Sequence, residues 1–227
     1  MLAAPYLLTS RRRALNVGIA VVLLLMTLPL MAVIALLVLL SSRGSTIFRQ
    51  TRIGRNRRHQ HSEPCDGDRR SRDLGGMPFE MLKFRSMQHG AGATQVWAAA
   101  DDTRVTPVGR VLRRFRLDEL PQLVNILRGE MNLVGPRPEQ PSLFAELREK
   151  VEGYPRRQLV LPGITGLAQV SQGADHSIDD VRCKLAFDLD YISRRTPRED
   201  LRIMVRTLPV MLGLGPRSRA TVADSPS

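Results

Sequence analysis

The chain has 227 residues, which is enough for one globular domain plus an appendage and excludes two large domains. Its formal net charge is +12, and all of the basic residues are arginines except Lys83, Lys150 and Lys184. Guanidinium groups make planar contacts with phosphate and carboxylate, so we expect an anionic partner: nucleic acid, anionic lipid or a phosphorylated small molecule. Cys65 and Cys183 lie far apart, which argues against a disulfide framework and favours cytosolic chemistry.

The first predicted element is an apolar segment near the N-terminus. No side chain from Ala14 to Ser42 is charged, and apolar residues occupy every face rather than one stripe. The segment exceeds the roughly 20 residues that cross a bilayer as a helix, and it is far longer than the roughly 7–15 apolar residues of a signal peptide. It therefore predicts a membrane helix that stays in the mature protein.

Pro29 lies close to the midpoint of this segment and divides it into arms of about 14 residues, or about 21 Å at helical rise, which is less than the roughly 30 Å hydrocarbon core. Arginines flank both ends, and the positive-inside bias then favours both ends on the cytoplasmic face. A re-entrant hairpin bent at Pro29 satisfies both features. The alternative is one transmembrane helix with a proline kink, which membrane helices tolerate.

The elements after the membrane segment predict an α+β fold that is mainly helical. We assign residues 1–45 to the N-terminal arm and membrane helix, 46–212 to a cytoplasmic domain with a variable loop insert at 56–77, and 213–227 to a disordered tail. Strands are predicted at 46–55 and 78–87, and helices at 108–115, 118–128, 142–152, 179–193 and 198–212. The proline-rich "NLVGPRPEQP" predicts irregular backbone, and "LPGITGLAQV" a loop and strand.

Asp118 and Glu119 stand side by side in a stretch rich in arginine. A structural interpretation is that acidic residues favour a helix start, where Asp can cap and Pro121 suits the first turn. A chemical interpretation is that adjacent helical side chains point about 100° apart and can address a reacting phosphorus and a divalent cation together. Aspartate can attack phosphorus, while one or two carboxylates and phosphate oxygens hold Mg²⁺. The surrounding arginines would keep Asp118 ionised.

Basic side chains elsewhere are candidate phosphate ligands. Lys83 and Arg85 are two positions apart and share a face of an extended segment, and Arg137 is mounted between two prolines that restrict its backbone. Solvated surface charge would equally explain any isolated basic pair.

Other kinds of site are disfavoured. His59, His61 and Cys65 have poor spacing for zinc, and the sequence has neither a Walker phosphate loop nor a GxGxxG followed by a helix. Aromatic residues make up only 4%, so the chain lacks a stacking platform for single-stranded nucleic acid.

Five segments together resemble the bacterial sugar transferase family, the small monotopic polyprenyl-phosphate phosphoglycosyl transferases that initiate polysaccharide and glycan assembly. The likeness runs from about Arg13 to Leu212. The segments are "GSTIFRQTRIGR", "FEMLKFRSM", "DDTRVTPVGRVLRRFRLDELPQLVNILRGEMNLVGPRPEQP", "LPGITGLAQVSQG" and "KLAFDLDYI".

The resemblance implies transfer of a sugar 1-phosphate from a nucleotide diphosphate sugar, usually a UDP-sugar, to polyprenyl phosphate, with release of the nucleoside monophosphate. It implies that Asp118 attacks the sugar-bearing phosphate to form a covalent phosphosugar enzyme and that Glu119 holds Mg²⁺. The family's phosphate-binding residues match Lys83, Arg85 and Arg137, with Arg116 and Arg114 as secondary additions.

The resemblance also implies a place in the cell. The family's membrane element is a re-entrant helix bent at a proline, matched by Pro29, with further helices lying at the interface. This places the protein in the bacterial inner (plasma) membrane, with its catalytic domain on the cytoplasmic face. Its partners would be the nucleotide sugar, polyprenyl phosphate and membrane lipid, with no nucleic acid. The sequence leaves open which sugar, which pathway and whether the chain forms a homo-oligomer.

Three features depart from the family pattern: the lengthened 56–77 insert, Ala168 where relatives often carry an aromatic residue, and no proline in "SSRGSTIF". Two rival functions stay open. One is a membrane-tethered adaptor that binds nucleic acid or anionic lipid, with a steep salt dependence. The other is a metal-dependent phosphatase on the same site, which would release sugar phosphate without a lipid acceptor.

Overall fold

The computed structural model describes residues 3–56, 75–88, 103–173 and 175–215, with side chains from residue 11 onward. Two 3₁₀ turns, Leu117–Glu119 and Tyr154–Leu159, lie between its regular elements. The described part is mainly helical with short strands, which confirms the predicted α+β class. The regular elements are α1 (Ala3–Ser41), β1 (Ile47–Ile53), β2 (Pro78–Phe84), α2 (Pro107–Arg114), α3 (Gln122–Leu127), β3 (Asn132–Val134), α4 (Pro141–Lys150), β4 (Gly163–Thr165), α5 (Leu167–Ser171), α6 (Ile178–Arg194) and α7 (Pro197–Met211).

Two small sheets organise the described part of the domain. β1 and β2 pair antiparallel, with Ile47 opposite Phe84, and β3 pairs parallel with β4. The second sheet requires a very close approach, because a Cβ atom on Gly163 would lie 2.1 Å from the Gly135 nitrogen. β3 corrects the prediction of irregular backbone over 132–141. Its three residues precede the prolines and keep their amides, so they can pair before the chain becomes irregular.

The predicted helices at 108–115, 142–152, 179–193 and 198–212 are confirmed, and side-chain caps fix several of their starts. Thr106 accepts a hydrogen bond from the Gly109 amide at 2.9 Å, and Ser177 forms a capping box with Asp180. The helix predicted at 118–128 is wrong in its first turns. Regular α-helix begins only at Gln122, after a 3₁₀ turn that contains both acidic residues. α5 is a further helix, in a segment predicted as loop and strand.

α1 is one continuous 39-residue helix with Pro29 inside it, so the division into two separate arms is not seen. Within the described residues, it is the single helix long and apolar enough to cross a membrane. Large apolar side chains stay exposed along most of its length, with Met26 73% and Leu40 76% exposed. Such a surface calls for an apolar environment. The re-entrant topology stays a prediction.

Both ends of α1 are attached to the rest of the domain. Near its N-terminal end, Arg12 pairs with Asp200 at 2.5 Å, and the Asn16 carboxamide accepts a hydrogen bond from the Leu133 amide at 2.8 Å. At its C-terminal end, the Arg85 guanidinium donates to the Ser42 carbonyl at 2.6 Å. The helix is therefore anchored to the domain on both sides of its exposed middle.

Much of the predicted insert and tail lies outside the described residues, namely 57–74 and 216–227. His59, His61 and Cys65 fall in that part, so the interpretation of those residues stays untested.

Candidate active site

Asp118 and Glu119 lie in the 3₁₀ turn that follows α2, and their position is set by an unusual backbone conformation just before it. Arg116 adopts the left-handed region at φ 53°, as no other non-glycine residue in the described ranges does. This conformation ends α2 at the position where helices commonly favour glycine, at a cost of roughly 1–2 kcal/mol for another residue. It turns the chain so that both acidic residues become buried, at 7% and 5% exposure.

Strand β2 brings Lys83 to the acidic residues through a side chain of α3. The fully buried Asn125 accepts a hydrogen bond from the Leu82 amide at 3.0 Å and donates one to the Glu80 carbonyl at 2.7 Å. These two bonds attach the free edge of β2 to α3. Lys83, the next residue, then reaches Glu119.

Arg137 comes from the loop that follows β3. The prolines on either side, Pro136 and Pro138, restrict its backbone, as the sequence predicts. Its guanidinium donates to Glu119 Oε1 at 2.9 Å. Arg137 is 18 residues from Glu119 in sequence, and Lys83 is 36 residues from it. Tertiary structure therefore assembles this site from three separate segments.

Glu119 is held by three cations. Lys83 Nζ lies 3.1 Å, Arg137 Nη2 2.9 Å and Arg116 Nη1 3.9 Å from its carboxylate, and all three approach the same oxygen, Oε1. Burial alone would raise the pKa of Glu119, but the charges of Arg137, Lys83 and Arg116 outweigh it and hold this pKa well below its ordinary value. Glu119 is a firmly ionised anchor.

Asp118 has a different environment although it is the adjacent residue. No group of the described residues donates a hydrogen bond to its carboxylate. Burial raises the pKa of Asp118 despite the opposing charge of Lys83, and the negative charge of Glu119 raises it further. Desolvation is the larger effect on this pKa, and the positive charges around Asp118 offset it only in part. That the arginines keep Asp118 ionised stays a prediction. Asp118 is thus the less engaged and more basic of the two carboxylates, as a nucleophile requires.

The donor set fits Mg²⁺ when a substrate supplies further oxygens. Because the three cations converge on Oε1 of Glu119, its Oε2 is left for another ligand. Within the described residues no group of three or more His, Cys, Asp or Glu side chains could hold a metal ion by itself. Mg²⁺ is commonly held by one or two carboxylates together with phosphate oxygens, which matches this arrangement. Glu119 is the residue that would hold it.

Two of the predicted phosphate ligands lie elsewhere. Arg85 points to the C-terminal end of α1, where its Nη2 donates to the carbonyls of Ser42 at 2.6 Å and Val38 at 3.4 Å. A cation suits that position, since the carbonyl end of a helix carries partial negative charge. Arg114 stacks over the Phe115 ring with its central carbon 5.7 Å from the ring centroid. Their proposed contact with substrate phosphate stays a prediction.

Sequence reasoning missed two arginines near the acidic pair. Arg52 of β1 donates to the Pro138 carbonyl at 3.1 Å, and burial, followed by the charge of Arg137, lowers the pKa of Arg52 to about 10. Arg113 bonds to the Ser86 hydroxyl at 2.8 Å and lies close enough to Asp118 to affect its pKa. Nothing in the local sequence distinguishes either one from the many surface arginines.

The site combines an unengaged carboxylate with an excess of positive charge. Lys83, Arg116, Arg137, Arg52 and Arg113 are the cations around Asp118 and Glu119. Such a site favours a substrate with several negative charges, and a diphosphate has them. A buried carboxylate next to a bound phosphorus can attack it and form an acyl phosphate.

Comparison with known proteins gives a consistent result. The profile of the family described as "Bacterial sugar transferase" matches residues 8–213. The UDP-glucose:undecaprenyl-phosphate glucose-1-phosphate transferase of Caulobacter vibrioides is 39% identical over 205 residues, covering 89% of this chain and 70% of that protein.

Two further relatives show how the similarity is distributed. The UDP-N-acetylgalactosamine-undecaprenyl-phosphate N-acetylgalactosaminephosphotransferase of Aeromonas hydrophila is 36% identical, covering 91% of this chain and 45% of that protein. The exopolysaccharide production protein ExoY of Sinorhizobium fredii is 34% identical, covering 88% of this chain and 84% of that protein. The chain thus spans less than half of the Aeromonas protein. The names of the Caulobacter and Aeromonas proteins specify different sugars, so similarity alone does not select one for this chain.

Proposed function

The chain belongs to the bacterial sugar transferase family, and from this premise we propose that it transfers a sugar 1-phosphate from a UDP-sugar to undecaprenyl phosphate at the membrane surface. The observation that carries the proposal is the unlike environment of the two adjacent acids. Glu119 is fixed by three cations, whereas the Asp118 carboxylate is buried and has no hydrogen-bond donor among the described residues. The resulting product would begin the assembly of an exopolysaccharide or another glycan.

In the first half-reaction a carboxylate oxygen of Asp118 attacks the phosphorus that bears the sugar. An O–P bond forms to Asp118, and the bond from that phosphorus to the bridging oxygen of the diphosphate breaks. The bridging oxygen keeps the electron pair and leaves as part of UMP. The enzyme then carries the sugar 1-phosphate as an aspartyl phosphosugar.

In the second half-reaction a phosphate oxygen of undecaprenyl phosphate attacks the same phosphorus. The O–P bond to Asp118 breaks, and the electron pair returns to the carboxylate. The product of this step is the undecaprenyl diphosphate sugar, and the enzyme is regenerated; UMP has already left in the first step. Kinetics of the ping-pong type are expected.

The cations prepare the site for this chemistry. Arg137 and Lys83 orient Glu119 and neutralise charge on the diphosphate, while Arg116, at 37% exposure, is the most accessible of the three cations. When bound at Glu119, Mg²⁺ supplies further charge neutralisation to the phosphates.

Incubation of the purified protein with a panel of UDP-sugars and undecaprenyl phosphate tests this proposal. UMP release that requires the lipid acceptor for repeated turnover, together with a phosphosugar adduct on the peptide containing Asp118, is expected. Release of free sugar phosphate without lipid would indicate a phosphatase instead. Steeply salt-dependent binding of nucleic acid without any turnover would favour the adaptor.

We further propose that α1 is re-entrant, with the domain on the cytoplasmic face of the inner membrane. Asn16 and Val38 both contact this domain, and they would be about 33 Å apart on a straight helix. The hydrocarbon core is about 30 Å thick, so a straight spanning helix with both contacts would need the domain to extend through the bilayer. A bend at Pro29, which lies inside the continuous helix, would instead bring both ends to one surface.

Cysteine labelling distinguishes the two topologies. In a background with Cys65 and Cys183 replaced by serine, we expect Arg11→Cys and Arg43→Cys each to react with a membrane-impermeant maleimide only in inside-out vesicles. Asp179→Cys, on the exposed surface of α6, marks the side of the domain. If either flanking cysteine reacted in intact spheroplasts while position 179 did not, α1 would span the membrane.

A further inference from the structure

A second group of ionisable side chains lies behind Arg137, and it is almost completely buried. Arg157 in the second 3₁₀ turn is 3% exposed, Asp188 of α6 is 2% exposed, and Glu139 after the proline loop is 8% exposed. Lys184 of α6 and the fully buried Tyr154 complete this buried ionic cluster. Transfer of charged side chains from water into the protein interior costs free energy, so we expect this cluster to serve a role.

Arg157 is the centre of the buried ionic cluster because its donors are directed to four partners. Its Nε donates to Asp188 Oδ2 at 2.9 Å, and its Nη1 donates to Glu139 Oε1 at 2.8 Å and to the Tyr154 hydroxyl. Its Nη2 lies 2.7 Å from Asp188 and donates to the backbone carbonyl of Arg137 at 3.1 Å. The guanidinium stacks on the Tyr154 ring at 4.9 Å, which fixes its plane.

The loop around Arg137 is held in place mainly by hydrogen bonds to its backbone carbonyls, and the Arg137 carbonyl is one of them. Pro136 and Pro138 have no amide hydrogen, so neither can donate a backbone hydrogen bond. Instead the four successive carbonyls accept hydrogen bonds from three separate segments of the chain. The donors are the Gly163 amide to Pro136, the Arg157 guanidinium to Arg137, the Arg52 guanidinium to Pro138 and the Ile53 amide to Glu139.

Arg157 holds the residue at the centre of this loop. The side chain of Arg137 leaves the loop on the way to Glu119, where its guanidinium makes the 2.9 Å contact. A shift of the Arg137 carbonyl would therefore move the guanidinium relative to Glu119 and to a bound diphosphate. Misplacement by about 1 Å is enough to cost a large part of a catalytic rate.

We propose that Arg157 is a positioning residue for phosphoryl transfer, fixing the Arg137 guanidinium on Glu119 through the Arg137 carbonyl. The inference rests on the proposed function for its catalytic consequence, and among the described residues Arg157 makes no hydrogen bond or ion pair with the acidic pair. Glu139 and Asp188 hold Arg157 in place, and Lys184 pairs with both Glu139 and Asp175 at 2.8 Å.

Arg157→Lys tests the role while keeping the positive charge. A lysine ammonium can pair with Asp188 or Glu139 but has no planar fork that also reaches the Arg137 carbonyl. We expect kcat to fall by roughly 10- to 100-fold in folded protein. Arg156→Lys is the matched control, because Arg156 is the exposed neighbour in the same turn, and it should leave kcat unchanged.

A double-mutant cycle separates positioning from a general structural role. If Arg157 acts through Arg137, Arg157→Lys should lower kcat/KM by less than about twofold once Arg137→Met is present. Full additivity of the two losses, or unchanged kcat in the single variant, would overturn the proposal. If Arg157→Lys does not fold, Asp188→Asn replaces it, because this substitution weakens the hold on the same guanidinium and keeps a side chain of similar volume. Its effect on kcat/KM should likewise become small once Arg137→Met is present.

The cycle also distinguishes this inference from the proposed function. A wild-type protein that turns over no UDP-sugar would contradict the proposed function alone. In that case the free energy of unfolding in denaturant is measured for the two single variants and the double variant. A coupling free energy between positions 157 and 137 supports the positioning role, and additive losses contradict it.

Discussion

Asp118→Asn is expected to abolish both release of UMP and formation of the phosphosugar adduct, with turnover reduced by roughly 10³-fold or more. The amide has almost the same shape as the carboxylate but lacks the charged oxygen that attacks phosphorus in the proposed mechanism. Because no described residue donates a hydrogen bond to this carboxylate, the substitution breaks no visible contact. Stability should therefore change little, and the loss should lie in the chemical step.

Intact-mass analysis of protein stalled with UDP-sugar in the absence of lipid gives the direct measurement. The wild type should gain the mass of one sugar phosphate, and the Asp118→Asn variant should gain nothing. Asp179→Asn, at an 83% exposed position, is the matched control and should behave as the wild type. An adduct in the Asp118→Asn protein, or turnover near the wild-type rate, would exclude covalent catalysis at this residue.

Glu119→Gln should have the second largest effect, and it should act on both activity and stability. Removing the carboxylate leaves Lys83 and Arg137 close together without their shared counter-charge, which should cost about 3 kcal/mol in the free energy of unfolding. We expect kcat to fall by roughly 10²-fold, because the cations lose their orientation. A higher Mg²⁺ concentration should be needed for half-maximal activity. Binding of UDP should be retained, because positive charge in the site increases.

The stability difference between wild type and Glu119→Gln should depend on pH in a defined direction. The pKa of Glu119 is lower in the folded protein than its ordinary value of 4.5. Its contribution to stability is therefore fully present above about pH 4.5 and is lost as the pH falls toward the folded-state pKa. Denaturant unfolding at neutral pH and at about pH 3.5 should show the difference narrowing on acidification.

Glu146→Gln provides the matched control for this series. Glu146 is 51% exposed and pairs with Lys150 on the surface of α4, so its loss should change stability by less than about 1 kcal/mol. A Glu119→Gln protein with wild-type kcat, wild-type Mg²⁺ dependence and unchanged stability would show that the three cations do not depend on this carboxylate.

The secondary structure was predictable wherever local rules act without competition. The apolar α1, the capped helices α2, α6 and α7 and the strands β1 and β2 follow from periodicity and capping residues. The prediction failed at 118–121, where a left-handed Arg116 and the missing amide of Pro121 replace the first turns of a helix. It failed again at β3, because three residues are too few to show the alternation of a strand, and the partner strand lies about 30 positions away.

For the candidate site, the sequence predicted the acidic pair, Lys83 and Arg137, and the structure places Lys83 and Arg137 in contact with Glu119. Arg85 was paired with Lys83 by strand alternation, but its guanidinium caps the end of α1 instead. The sequence did not indicate a role for Arg52, Arg113 or Arg157, since each is one of many arginines in a basic chain. Only burial and contact geometry separate them from solvated surface charge.

The sequence alone determined the class of fold, the long apolar helix and the family, because these depend on composition, periodicity and the order of motifs. It also determined which two carboxylates stand next to each other. Tertiary structure alone decided their different chemical characters, since the pKa of a carboxyl group depends on burial and on charges from distant segments. Three cations converge on one oxygen of Glu119, whereas Asp118 has no hydrogen-bond donor among the described residues. The sequence of the two adjacent residues does not reveal this difference in environment.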